Sequence, residues 1–178
     1  MTDLTILIVC AEEPKLVELS IQKNLDVFKK YPLVIVNRRG GEPFKVFNSL
    51  FFNQQTSFWF ARRFGMEFVK TKYILCLDVD TVLPPQYIES AIQILETQPE
   101  VMVVASTYAT PYTQDHLAFG TSIWRTDILK ELYDWRLTEK PTQFCECIYM
   151  WKKIFAIGKK VYSFEQNATH LKEIPSLS

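Results

Sequence analysis

Five apolar residues, Tyr73 to Leu77, run straight into Asp78-Val79-Asp80, and a Pro84-Pro85 break follows before a helical pattern begins. A run of strand length with no polar face reads as a strand buried on both sides, as in a parallel sheet covered by helices. In open sheets of that kind ligands bind beyond the carboxyl ends of the strands. Two acids placed where the chain leaves the core can hold a hard divalent cation, because Mg²⁺ is typically taken by one or two carboxylates together with substrate phosphates. If the extended geometry continues past Leu77, Asp78 and Asp80 point the same way. A bare Asp-x-Asp is more often a pair of solvated loop acids, so the surrounding pattern has to decide.

That pattern repeats. Leu4 to Cys10 is a first buried strand, left through Ala11-Glu12-Glu13-Pro14. Val17, Ile21, Leu25 and Phe28 recur at helical spacing and predict one amphipathic helix over 14–29. Leu33 to Val36 is a second strand, left through Asn37-Arg38-Arg39-Gly40-Gly41. Residues 43–53 are Phe-rich and ambiguous. Phe58, Ala61, Gly65 and Phe68 predict a helix over 54–69, feeding the strand at Tyr73. After Pro85, Ile88, Ala91, Ile92 and Leu95 mark another helix, and Val101 to Ala105 another strand. This β-α-β-α-β-α-β order predicts an α/β fold with a mostly parallel central sheet flanked by helices.

The second half is less regular. Residues 106–119 read as loop or short antiparallel strand, and Phe119 to Trp124 as a strand. Thr126 is placed to cap a short helix through Tyr133. Residues 134–143 form a polar loop. Ile148, Trp151 and Phe155 mark a helix ending at Gly158, a fitting C′ residue. Val161 to Phe164 reads as a last strand and 167–178 as a tail. No repeat or linker divides the 178 residues, so one domain over 1–178 is expected.

Twenty basic and twenty acidic residues cancel, and no long basic run argues for nucleic acid. Thirteen Phe, eight Tyr and four Trp suit a dense core, or a face for a membrane or for a second copy. No stretch approaches the roughly 18 apolar residues of a membrane span. The Met-Thr-Asp start lacks a basic n-region, so a cytoplasmic protein is expected. Cys10 and Cys76 fall in buried strands and serve as small apolar fillers. Cys145 and Cys147 lack a second ligand pair for zinc. Asn167-Ala168-Thr169 matches a glycosylation sequon by pattern only.

Ala61-Arg62-Arg63-Phe64-Gly65, followed by Tyr73 to Pro85, resembles the core of the GT-A glycosyltransferases, above all the inverting family 2 group. That group runs an A-R-N-x-G helix into a strand ending D-x-D and then a P-x-x-[YL] helix start. Arg62, Gly65 and Pro85-Gln86-Tyr87 match, while Arg63 stands where Asn is usual. The resemblance covers most of residues 4–105 and implies a donor-binding half there. Residues 106–178 would then shape the acceptor site and supply the base. It implies a UDP- or GDP-sugar donor and a divalent cation, Mn²⁺ or Mg²⁺. Asp80 would coordinate the cation, and Asp78 would position the ribose or sugar and is a further candidate metal ligand. His170, just past the last strand, would complete the metal shell. Ala11, Glu12 and Asn37 would line the nucleoside, with Asn37 where the family often reads the base with Asp. Arg62 would meet the base or diphosphate.

The family's catalytic base belongs to an E-D pair ahead of the last helix. Here that pair falls on Glu146-Cys147, so Glu146 matches and Cys147 replaces the acid. Glu146 is the expected base, with Asp134 as the alternative. Trp124, Tyr133 and Trp135 could stack on sugar rings, though packing accounts for each as well. The resemblance leaves the acceptor open among glycan, lipid-linked and protein hydroxyls, and small proteins of this kind occur in microbes and viruses.

Three other readings stand beside it. Asp78-Val79-Asp80-Thr81-Val82 fits the haloacid-dehalogenase phosphatase pattern, with Asp78 as nucleophile and Asp80 as acid/base. That motif normally opens its chain, and no acidic pair follows here. A nucleotidyltransferase would share the sheet but usually carries a Gly-rich loop after the first strand, which Cys10-Ala11-Glu12-Glu13 is not. A non-catalytic nucleotide-sugar binder draws its support from Cys147.

Overall fold

A computed structural model of the chain describes residues 3–11, 14–41, 49–108, 118–133 and 146–171. Its strands are β1 (Leu4–Cys10), β2 (Leu33–Asn37), β3 (Ser49–Asn53), β4 (Tyr73–Leu77), β5 (Thr81–Val82), β6 (Val101–Tyr108), β7 (Thr121–Arg125) and β8 (Lys160–His170). The helices are α1 (Pro14–Lys23), α2 (Leu25–Lys30), α3 (Phe58–Met66), α4 (Tyr87–Thr97), α5 (Thr126–Leu132) and α6 (Glu146–Ala156). The sheet runs β3-β2-β1-β4-β7-β6-β8, and the two-residue β5 pairs onto β8. All neighbours in the seven-stranded body are parallel except β7, which is antiparallel to both β4 and β6. The expected α/β fold with a mostly parallel sheet is therefore the observed one.

The alternation of β1 divides the core into two layers. Leu4, Ile6, Ile8 and Cys10 join Val17, Phe28, Ala91 and Leu95 beneath α1, α2 and α4. Leu7 and Val9 face the other way, onto Trp59, Ala61, Leu129, Met150 and Ile154 of α3, α5 and α6. Every residue of β1, β2 and β4 is buried, as continuous apolar runs require. Gly65 lets α3 sit close on β1, since a Cβ there would overlap the Leu7 side chain.

Several boundaries differ from expectation. The helix predicted over 14–29 breaks at Asn24, whose side chain donates to Ser20 O at 3.0 Å and to Thr81 O at 2.9 Å and accepts from Leu83 N at 3.3 Å. An asparagine satisfied by a distant loop gains more there than in an uninterrupted helix. The Phe-rich 49–53 is the edge strand β3. Strand β6 runs on to Tyr108, beyond Ala105. Strand β8 continues from the predicted Val161–Phe164 to His170, because it pairs with β6 through Tyr108 and then with β5. Its irregular register between Ser106 and Thr107 hid this from a period-two pattern.

Thr126 is the first residue of α5, not its cap; Arg125 takes that place with no side-chain capping bond. On α6 the buried residues are Met150 and Ile154, and Phe155 faces solvent. The helix does end ahead of Gly158, which has a left-handed φ of 68°. Residues 109–117 and 134–145, including the predicted 134–143 loop, and His116 and Trp135 lie outside the described residues.

Candidate active site

Strand β4 delivers Asp78 to the centre of the sheet's carboxyl edge. The extended geometry stops at Leu77, and Thr81 N donates to Asp78 O at 3.1 Å to close a turn. The two acids therefore leave β4 toward different partners, contrary to a continued strand.

Asp78 joins a buried polar network. Its Oδ1 accepts from Arg62 Nη2 at 3.3 Å. Arg62 also donates through Nη1 to Glu146 Oε2. The hydroxyl of Tyr133 donates to Glu146 Oε1 at 2.6 Å. The Arg62 guanidinium is clamped between the rings of Phe58 and Phe119, 4.3 and 4.5 Å from the two centroids. Gly120 makes this approach feasible, because a Cβ at Gly120 would overlap the Asp78 carboxylate. Asp78 N also donates to Gly120 O at 2.9 Å. Four elements thus converge: α3 gives Arg62, β4 gives Asp78, the β7 entry gives Phe119 and Gly120, and α6 opens with Glu146.

Burial sets the electrostatics of the network. It opposes the Arg62 charge, but Glu146, Tyr133 and Asp78 outweigh it and hold the guanidinium pKa above its ordinary value. Glu146 is pushed above the usual carboxylate range by burial, against the pull of Arg62 and the Tyr133 hydrogen bond. Burial and then the Glu146 charge raise Tyr133 far above an ordinary tyrosine, so its hydroxyl stays a donor.

Asp80 stands at the second station. Its backbone O accepts from Leu171 N at 2.6 Å, and Thr81 pairs with His170 across β5 and β8. This brings His170 Nδ1 to 3.6 Å from Asp80 Oδ1, with both side chains partly open to solvent. Asn24 fixes the other flank of the loop through Thr81 O and Leu83 N. One carboxylate and one imidazole suit a divalent cation that draws its remaining ligands from phosphates and water. Among the described residues no group of three or more His, Cys, Asp or Glu side chains stands together. Among the described residues, Asp80 and His170 are the side chains placed to hold a cation here.

The first two strand exits lie alongside. Ala11 is exposed at the end of β1. Asn37 is buried, and its amide is committed to the exit loop: Nδ2 donates to Gly40 O at 2.8 Å and to Asn53 Oδ1 at 3.2 Å, while Oδ1 accepts from Arg39 N at 3.1 Å. Asn37 thereby shapes the turn after β2. Glu12 and Asp134 lie outside the described residues. Trp124 and Tyr133 do not present faces to a sugar: both are buried, and Trp124 Nε1 donates to Ser122 Oγ at 2.6 Å. Arg63, the departure from the helix motif, pairs with Glu67 one turn on.

Sequence reasoning missed Asn24, Gly120 and the Phe58–Phe119 clamp. An isolated glycine at a strand start was the available signal for Gly120. The clamp had none, since its two rings are 61 residues apart in a Phe-rich chain.

The strand order, the reversed strand β7 within the seven-stranded body and an acid-bearing loop after β4 define the GT-A architecture. The chain belongs to glycosyl transferase family 2, whose model matches residues 51–158. No curated protein matches it in sequence. In fold it is similar to the mannosyltransferase PcManGT from Pyrobaculum calidifontis, solved with GDP-Man and Mn²⁺, at TM-score 0.74 and 12% identity; the match covers 97% of this chain and 58% of that one. It is also similar to TarS 1-349 from S. aureus, at TM-score 0.69 and 12% identity over 94% of this chain and 60% of that one. The same TarS fragment in complex with UDP-GlcNAc gives TM-score 0.66 and 11% identity over 96% of this chain and 60% of that one. The chain thus spans about three-fifths of the solved structures it matches. The phosphatase and nucleotidyltransferase alternatives are set aside with family membership. Among the described residues no helix is long and apolar enough to cross a membrane.

Proposed function

We propose that the chain transfers a sugar from a UDP- or GDP-sugar to an acceptor hydroxyl, with inversion and with a divalent cation held by Asp80 and His170. The observation that carries this reading is the pairing of Asp80 with His170 beside the Arg62–Asp78–Glu146–Tyr133 network at one sheet edge. A bound Mn²⁺ or Mg²⁺ would neutralise the leaving diphosphate. Residues 1–105 bind the donor, with the exits at Ala11, Glu12 and Asn37 around the nucleoside. Asp78, held by Arg62, orients the ribose or sugar. Residues 106–178 shape the acceptor side.

Glu146 acts as base in this reading. The acceptor oxygen forms its bond to the anomeric carbon, the bond to the diphosphate breaks, and the hydroxyl proton passes to the Glu146 carboxylate. The hydrogen bonds from Arg62 and Tyr133 leave this carboxylate further lone pairs. Its raised pKa brings it nearer the operating pH, which favours proton transfer. Asp134 is the alternative base. One observation favours a second reading, a non-catalytic nucleotide-sugar binder: Cys147 stands where the family carries an acid, and both Glu146 oxygens already have partners.

The deciding experiment is calorimetric titration with UDP, GDP and their sugars, with and without Mn²⁺, on wild type and Asp80→Ala. Cation-dependent binding of one nucleotide, lost in the variant, supports the donor site and names the base. Binding that survives Asp80→Ala removes the central claim. Donor binding without turnover toward any acceptor hydroxyl favours the non-catalytic binder.

A further inference from the structure

Helix α6 turns Met150 and Ile154 inward and ends in an apolar surface on its other side. Phe155 and Ile157 are 52% and 47% exposed. The Trp151 ring lies 4.3 Å from that of Phe155, centroid to centroid, so the apolar surface is continuous along the helix. Lysines accompany it in the sequence. From Cys147 to Phe164 the chain carries Lys152, Lys153, Lys159 and Lys160 and no Asp or Glu, although its charges cancel overall. Lys153 turns inward, donating to Leu132 O at 2.7 Å. Lys160 remains largely exposed and has Glu100 3.6 Å away as a counter-charge.

We propose that this end of α6 seats the protein on an anionic lipid surface. Trp and Phe beside Ile, bordered by lysines, is the chemistry that partitions into a negatively charged membrane interface. The charge argues against a second copy as occupant, since a two-fold contact would bring the same lysines together from both sides. The seat is one helix length from Glu146, about 16 Å at 1.5 Å per residue. Docking there orients the sheet edge without covering it. The proposal is independent of the transfer reading.

The test is cosedimentation of the full chain with phosphatidylcholine vesicles, with and without phosphatidylglycerol, at low and raised salt. Binding is expected only with phosphatidylglycerol, and to weaken as salt screens the lysines. Phe155→Ser/Ile157→Ser should lower the partition about tenfold or more, from the lost apolar burial. Lys152→Glu/Lys159→Glu should remove the preference for the anionic lipid. Lys152, Phe155 and Ile157 are exposed and Lys159 is half-buried, and circular dichroism checks that each variant stays folded. Absence of binding to either vesicle overturns the proposal, as does equal binding by wild type and Phe155→Ser/Ile157→Ser. A wild-type dimer in sedimentation velocity that this variant dissociates, with no lipid binding, assigns the face to a second copy instead.

Discussion

Replacing Arg62 with methionine tests whether the buried network is held by charge. Methionine can fill the slot between Phe58 and Phe119, so little volume is lost. What disappears is the cation facing Glu146 and Asp78. Asp78, with 37% of its side chain exposed, can turn toward water, whereas Glu146, at 13%, keeps only Tyr133. Removing one partner of a buried pair costs about 3–5 kcal/mol. Glu146 escapes part of that cost by taking up a proton. Burial already raises its pKa, and Arg62 is the strongest pull downward, so the variant's pKa stands higher still. The folded variant then holds a proton that the unfolded chain releases at the ordinary glutamate value. Its stability should be full at or below that value, fall as pH rises toward the folded pKa, and level off beyond it. Urea unfolding should show a loss of about 3 kcal/mol or more near pH 8, with much of it recovered near pH 5.5. Adding Glu146→Gln removes the stranded charge and keeps an acceptor for Tyr133. The double variant should lose about 2–3 kcal/mol less than the sum of the two single losses near pH 8. A loss under about 1 kcal/mol in Arg62→Met, or simple additivity in the double variant, would refute the reasoning.

The remaining expectations concern single contacts. Gly120→Ala should cost about 1–3 kcal/mol by overpacking against the Asp78 carboxylate and should weaken donor binding, as read by unfolding and titration together. Asn24→Ala should cost about 1–3 kcal/mol, because Thr81 O and Leu83 N lose a buried partner; a midpoint unchanged in thermal unfolding would place the loop's support elsewhere. If Glu146 is the base, kcat/KM should fall on the acid side at a pH above the ordinary glutamate range, since the carboxylate must be ionised to accept the proton. Glu146→Gln should remove that limb while sparing donor binding, and unchanged turnover would transfer the role to another acid.

The parallel half of the fold was legible because buried strands leave continuous apolar runs and their helices leave spaced ones. Tyr73–Leu77 is the clearest case, apolar throughout and buried on both faces. Strand β8 was legible only in its first half, since beyond Phe164 its residues are polar and its register with β6 shifts. The break at Asn24 was invisible because the apolar spacing of Val17, Ile21, Leu25 and Phe28 runs through it undisturbed; the competing partners are carbonyl and amide groups 57 and 59 residues away. The buried face of α6, Met150 and Ile154, was not legible because apolar residues surround that helix, and periodicity cannot choose among them. At the site, Arg62, Asp78, Asp80, Glu146 and His170 each had a sequence signal, but their pairing did not.

That pairing follows from the reversed strand β7. In a purely parallel sheet, β4 would have a neighbour leaving the sheet at its carboxyl end. With β7 antiparallel, the neighbour instead enters there, register Leu77 opposite Thr121, and its preceding residues Phe119 and Gly120 lie against Asp78. Phe119 closes one side of the Arg62 guanidinium and Gly120 admits the Asp78 carboxylate to the other reachable nitrogen. The chain then crosses α5 to Tyr133 and returns in α6 at Glu146, so the second half closes around an arginine supplied by the first. Asp78 and Glu146, one from each half of the chain, thus share the Arg62 guanidinium. A change at either carboxylate should be felt at the other through Arg62, which is why the Arg62 double-mutant cycle probes the join between the two halves.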